Sequence, residues 1–138
     1  MYVLDTNHIQ EIGRETLIGR SLLAELRESG EDAVTTVVCA EEHIRGWFAE
    51  IQRCKIPDQA RSYNRLRDTI EFYAGWLMLP FDEDAIGIFM RMRTQGVRIG
   101  TNDLKIAAIT LAHDSTLLTR NMVDFSKVPG LKFANWLD

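Results

Sequence analysis

Short apolar segments alternate with amphipathic segments along this chain, and this alternation constrains the fold more than any other feature. Apolar and β-branched stretches predict strands at residues 2–4, 33–38, 76–79, 116–119 and 131–133. Helical spacing predicts helices over residues 16–28, 40–52, 57–73, 82–96 and 100–111. Strands separated by helices need crossover connections, so we expect an α/β protein. Its mainly parallel sheet would lie between helices on both faces, as a three-layer α/β/α sandwich.

The length and composition predict one domain, residues 1–138, because 46% hydrophobic content in 138 residues suffices for a core. No apolar run approaches the roughly 20 residues of a membrane span. The N-terminus lacks the basic region of a signal peptide. We therefore expect a cytoplasmic protein with no membrane partner. Cys39 and Cys54 are expected to be reduced and buried, and a disulfide between them is the alternative.

The charge is unevenly distributed. A sequence pI near 5.4 argues against a protein that coats DNA regardless of sequence, because such binding depends on many phosphate contacts. Residues 43–67, however, contain six basic residues and only two acidic ones, Glu50 and Asp58. This segment indicates either a phosphate-bearing partner or a solvated helix face.

Four acidic residues follow predicted strands or begin helices at positions that are equivalent in this topology. They are Asp5, Glu42, Asp103 and Asp124. In open α/β sheets, binding sites lie beyond the carboxyl ends of the strands. We therefore expect the four carboxylates at one edge of the sheet.

Each acid also has a purely local explanation. Asp5 could cap the turn that follows it, and the pair Glu41–Glu42 could favour the first turn of a helix. Thr101 could be the N-cap of a helix that carries Asp103 in its first turn. Asp124 could form an Asx-type turn. The four together are harder to explain in this way.

A cluster of carboxylates repels strongly at neutral pH, and a hard divalent cation relieves that repulsion. Oxygen ligands suit Mg²⁺ or Mn²⁺ better than zinc, and the three histidines lack zinc-binding spacing. One or two such ions could hold a phosphodiester and activate water, with a carboxylate as general base.

The sequence resembles the PIN-domain family, and within it the VapC-like toxins of toxin–antitoxin pairs. The matching motifs occur in the family's order over essentially the whole chain. They are YVLDTN (2–7), TVVCAEEHIRG (36–46), IGTNDLKIAA (99–108), LTRNMVDF (118–125) and VPGL (128–131). The resemblance implies a small α/β/α sandwich and a Mg²⁺- or Mn²⁺-dependent endoribonuclease that cleaves RNA.

The resemblance also assigns roles to individual residues. It implies that Asp5, Asp103 and Glu42 hold the metal, with Glu42 chosen by its spacing to Gly46. Asp124 matches an acid that some relatives carry slightly later and is expected to be a supporting catalytic residue. Further supporting residues are Asn121, where many relatives have an acid, and the hydroxyls Thr6 and Thr119.

The same resemblance implies partners. A small antitoxin is expected to place its tail in the active-site groove, and operator DNA is expected to bind only through that antitoxin. The chain is expected to form a homodimer. The alternative is a non-catalytic PIN-like module that binds RNA or protein. A haloacid-dehalogenase-like phosphatase fits less well, because Asn7 lies where that class needs a second Asp. A receiver domain also fits less well, because it needs a lysine at a late strand end, whereas Lys105 lies on a predicted helix.

Overall fold

The computed structural model describes all 138 residues. Five parallel strands form one central sheet, and seven α-helices connect and cover them. The strands are β1 (Tyr2–Leu4), β2 (Ala33–Thr36), β3 (Met78–Leu79), β4 (Thr116–Leu118) and β5 (Lys132–Ala134). The helices are α1 (Thr6–Gly13), α2 (Leu17–Ser29), α3 (Val37–Arg53), α4 (Ala60–Ala74), α5 (Glu83–Thr94), α6 (Thr101–Ala112) and α7 (Met122–Phe125).

The strand order is β3-β2-β1-β4-β5. Strands β2 and β3 therefore lie on one side of β1, and the later strands β4 and β5 lie on its other side. Tyr2 aligns with Ala33 of β2 and Leu4 aligns with Leu118 of β4. The direction of strand addition therefore reverses between β1 and β4. Ligands of open α/β sheets bind at such a reversal, beyond the carboxyl ends of the strands.

The sheet separates two hydrophobic cores. Val3 and Leu117 face the larger core, which α5 and α6 cover, while their chain neighbours Leu4 and Leu118 face the core under α1 and α2. This division follows from the alternation of side chains along a strand. The expected three-layer α/β/α sandwich with a parallel sheet is confirmed.

The boundary between β2 and α3 differs from the prediction. Residues 37–38 were predicted to end the strand, but α3 begins at Val37. The reason is a cap: the Thr36 hydroxyl accepts a hydrogen bond from the Cys39 amide at 3.1 Å. Glu41 and Glu42 consequently lie beyond the first turn of α3, so the prediction that they favour a helix N-terminus is wrong.

Other local predictions are also corrected. Sequence patterning did not predict α1, and the strand predicted at 76–79 contains only Met78–Leu79. The N-cap of α6 is Gly100 and makes no side-chain hydrogen bond, so Thr101 is not the cap. Both cysteines are free, and Cys39 is buried as predicted, whereas Cys54 is only half-buried. No helix has the length and apolar character needed to cross a membrane.

Close contact between α1 and α2 depends on Gly19. A Cβ atom at this position would lie 2.0 Å from the Glu11 carbonyl oxygen. The absence of a side chain therefore lets α2 pack directly against the α1 backbone. This packing holds α1 against the sheet, where its first residues follow β1.

Candidate active site

Asp5 lies at the carboxyl end of the central strand and is buried, with 6% of its surface exposed. Its Oδ1 accepts a hydrogen bond from the Thr6 amide at 2.7 Å, and its Oδ2 accepts one from the Thr119 hydroxyl at 2.8 Å. Asp5 is the N-cap of α1, so the predicted capping role is confirmed. Both carboxylate oxygens are thereby held in place between β1 and β4.

A polar network extends from Thr119 to two further acids. The Thr119 hydroxyl accepts a hydrogen bond from the Asn121 amide at 3.0 Å. The Asn121 side-chain amide donates to Asp103 Oδ2 at 3.3 Å and to Asp124 Oδ2 at 2.9 Å. Asn121 therefore joins the start of α6 to the start of α7, and it links both to Asp5 through Thr119.

The loop after β4 has a different cap from the one predicted. Asn121, not Asp124, is the capping side chain, because its Oδ1 accepts from the Asp124 amide at 3.4 Å. Asp124 is half-buried, and Lys127 lies 3.6 Å from its Oδ1. Asp124 therefore belongs to the network through Asn121 and through an ion pair.

Glu42 approaches the same site from α3. Burial raises the pKa of its carboxyl, and the charges of Asp5 and Asp103 raise it further, while the Asn102 side chain opposes the rise. Its neighbour Glu41 is exposed and pairs with Arg45 one helical turn away. The structure therefore directs Glu42 towards the other acids and Glu41 towards solvent.

The electrostatics of the site are those of unneutralised carboxylates. Burial raises the pKa of Asp5, against the effect of hydrogen bonds from Thr119 and Thr6. Burial also raises the pKa of Asp103, and the charges of Asp5 and Asp124 add to the rise. The charge of Asp5, at the end of β1, therefore disfavours the charged forms of Glu42 on α3 and Asp103 on α6.

The chemistry of these donors fits a hard divalent cation, since all are carboxylate or amide oxygens at a site with excess negative charge. In this conformation, however, no three His, Cys, Asp or Glu side chains are close enough together to form a metal-ligand group. Beside the acids, a shallow cavity of about 400 Å³ lies between α3 and α6 and is lined by Glu42, Arg45 and Asn102, among others. It leaves space beside Glu42 for a ligand.

Sequence reasoning anticipated the acids but not all of their partners. The contact of Asn102 with Glu42 and the ion pair of Lys127 with Asp124 were not predicted. Lys127 lies three residues after Asp124, a helical spacing that could have indicated the pair. Asn102 gave no such signal, because it meets Glu42 only through the packing of α6 against α3.

Comparisons with known proteins agree with this architecture. No protein-family model matches the chain. The chain is 26% identical to Ribonuclease VapC2 of Rickettsia felis over 141 residues, which cover 99% of this chain and 98% of that protein.

Two solved structures share the fold over nearly the whole chain. One is VapBC2 from Rickettsia felis bound to a promoter DNA fragment, with a TM-score of 0.71, 23% identity and 98% coverage of both chains. The other is DNA-bound VapBC from Salmonella typhimurium, with a TM-score of 0.76 and 21% identity, covering 98% of this chain and 97% of that one. The fold is that of a VapC-like PIN domain.

The resemblance found in the ordered motifs is thus confirmed. In this fold, Asp5, Glu42 and Asp103 approach one another at the carboxyl edge of the sheet, and Asp124 joins them through Asn121. Thr119 contacts Asp5 through its side chain and Thr6 contacts it through its backbone amide. Their roles in catalysis and metal binding stay predictions.

Proposed function

We propose that this chain is an endoribonuclease that hydrolyses RNA phosphodiester bonds with the aid of Mg²⁺ or Mn²⁺. The observation that carries the proposal is the convergence of Asp5, Glu42 and Asp103: the charge of Asp5 raises the pKa of both other acids, and the charge of Asp103 also raises that of Glu42. A site that concentrates like charges in this way is costly without a cation. The name of the related Ribonuclease VapC2 supports the same activity.

Asp5, Glu42 and Asp103 are the residues that would hold the cation. When bound, a divalent ion would neutralise charge on the phosphate and favour the hydroxide form of water. Glu42 is suited to accept a proton from an attacking water, because it lines the cavity beside the acids. Asp5 is suited to a fixed position, because both of its oxygens accept hydrogen bonds from the protein.

Asn121 and Asp124 would support the site without forming it. Asn121 orients Asp103 through its amide, and Asp124 orients Asn121 in turn. Removal of such supporting groups typically lowers metal affinity or activity by about 10- to 100-fold.

We propose further that the chain is the toxin of a toxin–antitoxin pair, acting on RNA in the cytoplasm. The support is structural: the related VapBC assemblies contain a toxin fold like this one, and two of them are bound to DNA. A small antitoxin would place its tail in the groove beside the acids, and operator DNA would be bound only through the antitoxin. A homodimer is the expected assembly.

The test is RNA cleavage by the full chain purified free of antitoxin, with Mg²⁺, with Mn²⁺ and with a chelator. Cleavage is expected only with the metals, and Asp5→Asn and Asp103→Asn should each abolish it. Asp32→Asn is the matched control, because Asp32 is exposed and precedes β2 at the opposite edge of the sheet. Full activity of the Asp5 or Asp103 variant would show that the site is wrongly assigned.

Metal-independent RNA binding without any cleavage would instead favour the non-catalytic module. Titration calorimetry with Mn²⁺ separates these cases. The nuclease should release or absorb heat that is lost in Asp103→Asn and kept in Asp32→Asn. An absence of heat in the parent chain would remove the metal from the proposal.

A further inference from the structure

A cavity of about 360 Å³ opens between α1, α3 and α4, and three arginine side chains line it: Arg14, Arg61 and Arg65. The ion pairs formed by arginines in this structure involve other residues, namely Arg45, Arg53, Arg67 and Arg120. The three lining guanidinium groups thus have no carboxylate partner. The one acid in the cavity wall is Asp68, and its Oδ1 lies 3.7 Å from a guanidinium nitrogen of Arg67, outside the cavity lining. An anionic ligand would complete this site.

Two aromatic rings, those of Trp47 and Phe72, share the cavity wall with the arginines. The indole Nε1 of Trp47 donates a hydrogen bond to Thr69 Oγ1 at 3.0 Å, which fixes the ring on α3 against α4. Single-stranded nucleic acid is commonly bound by guanidinium groups on its phosphates and aromatic rings against its bases. The volume is within the range of small-ligand pockets, which begins near ~300 Å³.

The cavity is connected to the acidic site by two helices. Helix α1 starts at its cap Asp5, and Arg14 follows its last residue, so the two ends are about 13 Å apart along the axis. On α3, His43 lines the cavity and directly follows Glu42. The charge of Arg14 adds to burial in lowering the pKa of His43, which agrees with their closeness. A single-stranded nucleic acid lying over the acids could therefore also reach the cavity.

We propose that this cavity binds one nucleotide of a single-stranded RNA, with Arg14, Arg61 and Arg65 on its phosphates and its base against Trp47 and Phe72. The inference rests on the proposed ribonuclease function and names a substrate subsite outside the acidic centre. An acidic peptide would satisfy the arginines, but it has no planar group to lie against two aromatic rings. The pairing of charge with aromatic surface therefore favours RNA.

The test measures binding of a fluorescent single-stranded RNA 12-mer to the full chain in EDTA, so that no cleavage interferes. The double variant Arg61→Gln/Arg65→Gln is compared with Arg20→Gln/Arg27→Gln, which removes the same charge from exposed positions on α2. The cavity variant should lose about 10-fold or more in affinity. The slope of its log binding constant against log salt concentration should become shallower by roughly 1.4, since each phosphate contact on a single strand contributes about 0.7 to that slope. The α2 variant should change less than about twofold.

A second readout isolates the aromatic contact. RNA should quench tryptophan fluorescence, and Trp47→Phe should remove a large part of that quenching while the chain stays folded by circular dichroism. Equal losses in the two arginine variants, or none in either, would overturn the proposal. So would an oligoglutamate peptide that binds as tightly as RNA with the same dependence on Arg61 and Arg65, since the cavity would then be a peptide site.

Cleavage measured separately with Mn²⁺ distinguishes this inference from the proposed function. If the parent chain binds RNA through the cavity but does not cut it, the ribonuclease proposal fails and the subsite stands. If it cuts RNA and Arg61→Gln/Arg65→Gln alters neither KM nor binding, the subsite fails and the ribonuclease proposal stands. A rise in KM with little change in kcat is the result expected if both hold.

Discussion

The Thr119 hydroxyl donates a hydrogen bond of 2.8 Å to Asp5 Oδ2, although the two residues are 114 positions apart in the chain. Both side chains are buried at the reversal point of the sheet, between β1 and β4. The bond lowers the pKa of Asp5 against the larger effect of burial, which raises it. Thr119 thus favours the ionised form of a buried carboxylate and holds it in one orientation.

Replacing Thr119 with valine should impair catalysis with little change in shape. The variant Thr119→Val removes the donor to Asp5 and leaves the Asn121 amide without its acceptor. We expect kcat for RNA cleavage to fall by about 10- to 100-fold. The pKa of Asp5 should rise, so the ascending limb of the pH–rate profile should move to higher pH. Thr119→Ser keeps the hydroxyl and should retain most activity; an unshifted profile in Thr119→Val would contradict the assignment.

The acidic site should lower the stability of the metal-free protein. The pKa of Asp103 is raised, so between its unfolded and folded pKa values the folded chain binds more protons, and stability falls as pH rises through that window. In EDTA at pH 7, Asp103→Asn should therefore be more stable than the parent in urea unfolding. Asp32→Asn should show no such gain. Saturating Mn²⁺ should make the parent more stable than Asp103→Asn. An Asp103→Asn variant that is less stable than the parent in EDTA would refute the argument.

His8 should make the protein sensitive to mild acid. It is fully buried, its Nε2 accepts a hydrogen bond from the Trp136 amide at 3.2 Å, and its Nδ1 has no partner. Burial lowers the pKa of His8 to about 4, with the charge of Arg120 as a lesser cause. The unfolded chain thus binds the proton first, and stability is lost as pH falls from about 6.5 towards about 4.

The loss attributable to His8 should be at most about 3.5 kcal/mol, at about 1.4 kcal/mol per unit of pKa difference. His8→Gln offers a neutral acceptor to the Trp136 amide and should flatten the stability–pH curve in this window. The measurement is urea unfolding of both chains at several pH values. Parallel curves for the two proteins would mean that another group causes the acid sensitivity.

Two glycine substitutions should have opposite effects on stability. Gly19→Ala places a Cβ 2.0 Å from the Glu11 carbonyl, which would push α2 away from α1. We expect a loss of about 1–3 kcal/mol, as for other overpacked positions. Gly87→Ala on α5 meets no atom within 4 Å and should gain about 0.5–1 kcal/mol. Thermal unfolding of the two variants provides the comparison, and a stable Gly19→Ala would contradict the close packing.

Much of the fold was predictable from sequence because it depends on near neighbours. Helix α2 lies within one residue of its predicted bounds at each end, with Thr16 as N-cap and Gly30 at φ 68° as C-cap, since both caps depend on nearby residues. Helix α1 was missed because it has only eight residues and its start depends on Asp5, which also follows a strand. The early start of α3 was missed because β-branched residues at 37 and 38 favour a strand, whereas the Thr36 cap favours a helix.

The order of the acids along the chain was enough to indicate a shared edge of a parallel sheet, because crossover topology brings strand ends together whatever lies between them. Which side chains meet there was decided by packing. The Thr119–Asp5 bond, the Asn121 bridge and the gathering of Arg14 with Arg61 and Arg65 all join segments distant in sequence. Periodicity reports the environment of one element at a time, whereas these contacts depend on how elements are placed against each other, which only the tertiary structure determines.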